Sequence, residues 1–272
     1  MTEYALRISD PEVRRYRMMA EVARTEESAD WAQAGFVAGA IVADVGCGPA
    51  AVLAELAGIV GPGGSATGVE RDPESADRAA ELLAAAGHGD VRVLRAPAHA
   101  TGIPAGSLDA VMLRHVLVHN AVDDEATGVP AILRHLAGLV RPGGHVYVVD
   151  TDLTARRVVP AEPTLDERSE RYHALLRGRG CEPQIGPRLA ALLRAAGLEV
   201  VRQDARFVSL GAAQLAGTTP PDEAAGEAMV AAGLATPEEI ERWTAQRHRH
   251  IAAHPDICFW VPFFRAVGRR PV

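Results

Sequence analysis

The chain is 272 residues long, 48% hydrophobic in composition, and carries a formal charge of −7. That acidity argues against a nucleic-acid binder, and no apolar run reaches the roughly 18 to 20 residues that cross a bilayer. All 28 basic residues are arginines, which removes Schiff-base chemistry, pyridoxal phosphate attachment and the phosphate-contacting lysine of a P-loop.

Taken from the start, Met1-Thr2-Glu3-Tyr4 lacks the basic-then-apolar pattern of a signal peptide. Asp10-Pro11-Glu12 supplies an N-cap followed by proline, so a helix is expected over 11–24, and a second, with Trp31 and Phe36, over 26–38. Residues 41–45 form a short strand that runs into Gly46-Cys47-Gly48-Pro49, after which an apolar helix should begin near Pro49 and stop at Gly61-Pro62-Gly63-Gly64. A second strand, 66–70, ends on Glu70. Asp72-Pro73 caps a helix to about Ala86, followed by strands at 91–94 and 108–113. A helix over 130–139 is closed by Arg141-Pro142-Gly143-Gly144, and a fifth strand spans 145–150. Thr164-Leu165-Asp166-Glu167 reads as a capping box opening a further helix, with another over 187–196. A sixth strand is expected at 198–208. A helical insertion follows, whose last helix starts at Thr236-Pro237-Glu238-Glu239, and then a final strand at 258–267.

Strand and helix alternate with short connections, which predicts an α/β fold with a doubly wound, mostly parallel seven-stranded sheet. The expected organisation is a helical lid at 1–38, a cofactor-binding core at 39–210, a helical substrate cover at 211–254, and the core's last strand at 255–272. The length suits one large elaborated domain. The three cysteines (Cys47, Cys181, Cys258) are far apart, with no CxxC. They read as reduced thiols of a cytoplasmic protein.

The glycine turn is the chemical centre. Two glycines two apart let the backbone approach a ligand closely, and Gly46-Cys47-Gly48-Pro49-Ala50-Ala51 also satisfies the dinucleotide fingerprint, with Glu70 as the ribose acid. Asp44, two residues before the first glycine, would gain nothing facing a pyrophosphate and would favour a cationic, amino-bearing ligand.

Asp44-Val45-Gly46-Cys47-Gly48, Glu70, Ser107-Leu108-Asp109-Ala110-Val111 and the stretch 139–144, in this order and spacing, resemble the class I S-adenosylmethionine-dependent methyltransferases. The resemblance covers nearly the whole chain. It implies a Rossmann-like methyltransferase fold with S-adenosyl-L-methionine as cofactor, the glycines against its methionine part and Glu70 on its ribose hydroxyls. Asp44, Gly46, Cys47, Gly48, Glu70, Arg71, Pro97, Ala98 and Arg114 are the cofactor-binding positions it points to, Arg114 through its backbone. After the third strand the chain departs from the family pattern, with Arg95-Ala96-Pro97-Ala98-His99 where an acid usually meets the adenine.

In an open α/β sheet the reaction centre lies beyond the carboxyl ends of the strands. His115 and His119, four residues apart after the fourth strand, are the candidate general bases, with His119 preferred. Asp150 after the fifth strand, Tyr16 and Met19 on the first helix, and Trp243 in the insertion are the candidate substrate contacts. No metal site is expected. His248, His250 and His254 read as a solvated stripe. The functional expectation is a bacterial, metal-independent enzyme, monomer or homodimer, methylating an oxygen or nitrogen of a small molecule, a secondary metabolite by the all-arginine, alanine-rich composition. Two alternatives stand beside it: a protein of this fold that binds the cofactor without methyl transfer, as a cyclase, and an NAD-linked oxidoreductase.

Overall fold

The β-branched run Ile41–Val45 forms β1, in the interior of the sheet, buried from its second residue onward. The computed structural model describes residues 10–217 and 222–272; Tyr4, Ala5 and Leu6, part of the expected lid, lie outside them. After α1 (Asp10–Gln33) the chain alternates strand and helix: β1, α2 (Ala51–Val60), β2 (Ser65–Glu70), α3 (Pro73–Ala85), β3 (Arg92–Arg95), β4 (Leu108–Arg114), α4 (Val129–Leu139) and β5 (Val140–Thr151). There follow β6 (Arg157–Val159), α5 (Pro163–Gly178), α6 (Leu189–Ala195), β7 (Glu199–Gly211), the helices α7 (Ala212–Gly217), α8 (Asp222–Ala231) and α9 (Pro237–Ala253), and β8 (Cys258–Arg269).

The strands lie in the order β3-β2-β1-β4-β5-β8, with β7 along the far edge of β8. The pairs from β3 to β5 are parallel, whereas β8 runs antiparallel to β5 and β7. Alternation along the strands divides the core. Val42, Met112 and Tyr147 face α1 and α2 with Trp31, Leu53 and Leu56. Ala43, Val111, Leu113 and Val148 face α4 and α6 with Ile132, Leu136 and Leu193. A third cluster, Leu175, Met229 and Trp243, joins α5, α8 and α9 beyond the carboxyl ends of the parallel strands.

Four local expectations are corrected. The two expected N-terminal helices are one helix of 24 residues, because 24–34 contains neither proline nor glycine and the first left-handed residue is Gly35. The helix after the glycine turn starts at Ala51, since Ala50 itself sits at φ 61°. The cap of α5 is Glu162, whose carboxylate accepts from the Thr164 amide, so Thr164 does not open a capping box. The sheet has eight strands: β6 pairs with residues 258–260 of β8, where β8 has run past the end of β5. The capping box at Thr236 and Glu239 is present as expected.

Candidate active site

Three residues of the turn after β1 have positive φ: Gly46 at 74°, Gly48 at 51° and Ala50 at 61°. A Cβ on Gly46 would lie 2.4 Å from a Val116 methyl carbon, so that position accepts only glycine. Over Gly48 lies the ring of Tyr16, 3.4 Å from where a Cβ would stand. The N-terminal helix therefore roofs the glycine turn.

Glu70, at the carboxyl end of β2, fixes the turn from the side. One carboxylate oxygen accepts from the Gly48 amide at 3.1 Å and the other from the Asp72 amide at 3.0 Å. A carboxylate offers about four acceptor sites, so these bonds leave capacity for a ligand. Burial raises the Glu70 carboxyl, and the amides of Asp72, Gly48 and Arg71 oppose the rise. Asp44, in the neighbouring strand, is pushed up to about 7 by burial, against the pull of Arg114 and with a further push from Glu70. Cys47 is buried, which together with Asp44 and Glu70 drives its thiol well above its ordinary value, so it packs as a small apolar group.

One cavity of about 1570 Å³ opens from this turn. Asp44, Gly46, Cys47, Gly48, Glu70, Arg71, Pro97, Ala98 and Arg114 line it, as do His115, His119, Tyr16, Met19 and Trp243. The sequence-derived candidates thus converge on one space, with one exception. Asp150 is fully buried behind the cavity wall. Because β5 runs on to Thr151 between β4 and β8, its carboxylate faces inward and accepts from the amides of Val118 at 3.2 Å and Thr151 at 2.9 Å. Asp150 braces the loop that carries the histidines and does not border the cavity.

The two histidines differ. His115 has φ 55°, its ring lies 4.6 Å from that of Phe263, and its Nε2 is buried without a hydrogen-bond partner among the described residues. Burial, with Arg114, His119 and Arg15, lowers its pKa well below the ordinary value. His119 ends a single 3₁₀ turn, Leu117–His119. Burial, then Arg71, Arg15 and Arg179, lowers it to about 4. Both are neutral at neutral pH.

Arg114 does more than offer backbone. Its guanidinium pairs with Glu27 of α1 at 2.7 and 3.2 Å in a buried setting. Tyr147 and Trp31 also donate to the Glu27 carboxylate, at 3.1 and 3.3 Å. A second tie joins Arg265 of β8 to Asp204 and to Asp30 of α1. These contacts hold α1 across the sheet and so fix Tyr16 and Met19 above the turn. Sequence reading missed Glu27, whose signal is an acid four residues before Trp31 on the buried face of a helix. It also missed the face of α5, where Leu165, Ser169, Tyr172 and Leu176 recur at helical spacing and all line the cavity. The expected solvated histidine stripe is only partly so: His248 is exposed, but His250 is buried and hydrogen-bonds the Pro160 carbonyl at 2.9 Å.

Residues 42–144 match the model of a methyltransferase domain family. No curated protein matches the chain. Among solved structures, a protein of Bacillus halodurans assigned as a methyltransferase is 12% identical, with 91% of this chain and 100% of that chain covered and a TM-score of 0.60. The phosphoethanolamine N-methyltransferase 2 of Haemonchus contortus, in complex with S-adenosyl-L-methionine, is 15% identical, with 97% of this chain and 58% of that one covered and a TM-score of 0.55. The 4+2 cyclase SpnF is 18% identical, covering 94% of this chain and 81% of that chain at a TM-score of 0.53. At these identities the likeness is one of fold. The glycine turn of β1, Glu70 at the end of β2 and both histidines fall within the matched segment, so the stretch that carries the candidate site is the one similar to a methyltransferase domain.

Proposed function

We propose that this enzyme methylates an oxygen, or a nitrogen, of a small molecule, with His119 as the general base. The observation that carries this reading is the single cavity that joins the glycine turn and Glu70 to His119. At about 1570 Å³ it exceeds the roughly 300–1000 Å³ of a pocket for one drug-sized ligand, leaving room for a second molecule beside the cofactor. Asp44 and Glu70 fit the group the family uses: two buried carboxylates facing an amino-bearing cation and a pair of ribose hydroxyls. S-adenosylmethionine supplies an electrophilic methyl group when bound.

The chain's own part is placement and proton transfer. The turn, Glu70 and the roof of Tyr16 and Met19 define where the cofactor lies. Trp243 and the face of α5 limit where the acceptor atom can sit, and placement of this kind accounts for much of the rate in a transfer between two bound molecules. A neutral His119 can take the proton of a substrate hydroxyl as it becomes nucleophilic. His115, packed against Phe263, is the second candidate, for substrate contact. In this reading residues 1–38 act as lid and 211–254 as substrate cover over the core of 39–210 and 255–272. The all-arginine, alanine-rich composition favours a secondary-metabolite substrate.

The test is incubation with S-adenosylmethionine and a panel of hydroxyl- and amine-bearing small molecules, followed by mass spectrometry. The expected product is heavier by one methylene equivalent and accompanied by S-adenosylhomocysteine. His119→Gln should lower kcat by about 10²- to 10⁴-fold while S-adenosylhomocysteine binding is retained. Full activity in that variant would remove the base role. A product of unchanged mass would favour the cyclase reading, since the same fold also serves a cyclase.

A further inference from the structure

The walls of the cavity are not alike. One of them is a face of the antiparallel unit in which β8 pairs with β6 on one side and β7 on the other. Residues directly opposite each other in antiparallel strands share a face, so the register sets out this wall row by row. Val158, Phe259 and Leu210 form the first row, Val261 and Val208 the second, and Phe263 the third. All six side chains line the cavity, and all six are apolar.

Strand alternation gives the same unit a second face, and that one is turned outward. Phe207 is 68% exposed there, with Trp260 edge-on to its ring, and Val159 is exposed as well. On the inner face Val208, Leu210, Val261 and Phe263 are buried from bulk solvent and border the cavity. From Phe259 to Phe263 the wall runs about 13 Å at the usual rise of a strand, and its three-stranded row is about 10 Å wide. At its Phe263 end it meets the candidate reaction centre, where the His115 ring lies 4.6 Å from the phenyl ring. The wall is thus a continuous apolar floor leading away from the histidines.

Apolar side chains that border a cavity gain hydrophobic and dispersion energy from a ligand that covers them. A polyhydroxylated ligand would give up hydrogen bonds to water there and receive none in return. We propose that the substrate carries an extended apolar body that lies on this floor, with its accepting atom toward His115. This rests on the methyltransferase reading, which it deepens by naming the substrate class.

The test is calorimetric titration of the wild-type protein, with and without S-adenosylhomocysteine, using butan-1-ol, hexan-1-ol, octan-1-ol and glucose as probes. Each added methylene should tighten binding about threefold, so that octan-1-ol binds about 10²-fold more tightly than butan-1-ol. Glucose should bind more weakly than any of the alcohols. Val208→Thr and Val261→Thr keep the shape of the floor and set a hydroxyl in it. Each should weaken octan-1-ol by about fivefold and leave S-adenosylhomocysteine binding intact. Phe207→Ala, on the outer face of the same strands, should leave octan-1-ol binding unchanged. The chain-length series needs no variant, so it stands even if a substitution in the floor impairs folding. An affinity that does not rise with chain length, glucose binding as tightly as octan-1-ol, or indifference of octan-1-ol to both threonine substitutions would overturn the proposal. A protein that shows the chain-length series but takes no S-adenosylhomocysteine would keep the apolar floor and remove the methyltransferase reading instead.

Discussion

Asp44 is a carboxyl group placed where its charge is costly until a cation arrives. Burial pushes it up to about 7, Arg114 pulls against that, and Glu70 adds to it. A cationic ligand favours the ionised form, so binding below that pH must release a proton. The affinity for S-adenosylmethionine should therefore rise with pH, by up to about tenfold per unit, and level off above about 7. Asp44→Asn should bind more weakly and with little pH dependence. Calorimetry at a series of pH values checks this; a flat wild-type profile would show that Asp44 does not face the cofactor's charge. Residues of this kind were legible in the sequence because the turn and its flanking acids are contiguous or a fixed step apart. The partner of Arg114 was not, because Glu27 lies 87 positions away and only the fold brings the two together.

At the scale of the element, α1 acts as a single rod clamped to the sheet. Its clamp is Glu27, which accepts from Arg114, Tyr147 and Trp31 in a buried site. Removing one member of a buried pair strands the other, at a cost of about 3–5 kcal/mol. Glu27→Ala should lose stability on that scale in denaturant titration, and a loss below about 1 kcal/mol would mean that the clamp carries little. The brace at the end of β5 behaves differently with pH. Asp150 is raised from 3.8 to about 7 by burial, against the amides of Thr151, Val118 and Leu117 and against Arg114. Between those values the folded state binds more protons than the unfolded one, so this contribution to stability is present below 3.8 and lost as pH rises through 7. Asparagine does not titrate. Relative to wild type, Asp150→Asn should gain about 2–4 kcal/mol as pH rises from about 4 to 8, whatever its constant cost. Thermal melts across pH measure it, and a difference that does not change with pH would contradict the assignment. Element boundaries were least legible where the signal is absent rather than present. Nothing in residues 24–28 favours or forbids a break, and packing of the whole α1 face on the sheet decides for one helix.

At the scale of the molecule, the parallel half of the sheet follows from short strand–helix alternation. The antiparallel β8, with β7 along one edge and β5 and β6 sharing the other, requires long-range pairing that no local pattern announces. The cavity is a product of the same assembly. Its glycine-turn wall was readable from one contiguous motif. Its opposite wall draws on α5, β7, α9 and β8, elements whose cavity-facing residues share no motif and meet only in the fold. The central claim is that the turn, Glu70 and the cavity beyond them hold S-adenosylmethionine. Calorimetric titration of the purified protein with S-adenosylmethionine, S-adenosylhomocysteine and NAD, beside Glu70→Ala, tests it most directly. The account predicts micromolar binding of the first two, lost in the variant, and none of the third. Tight NAD binding without response to S-adenosylmethionine would contradict it.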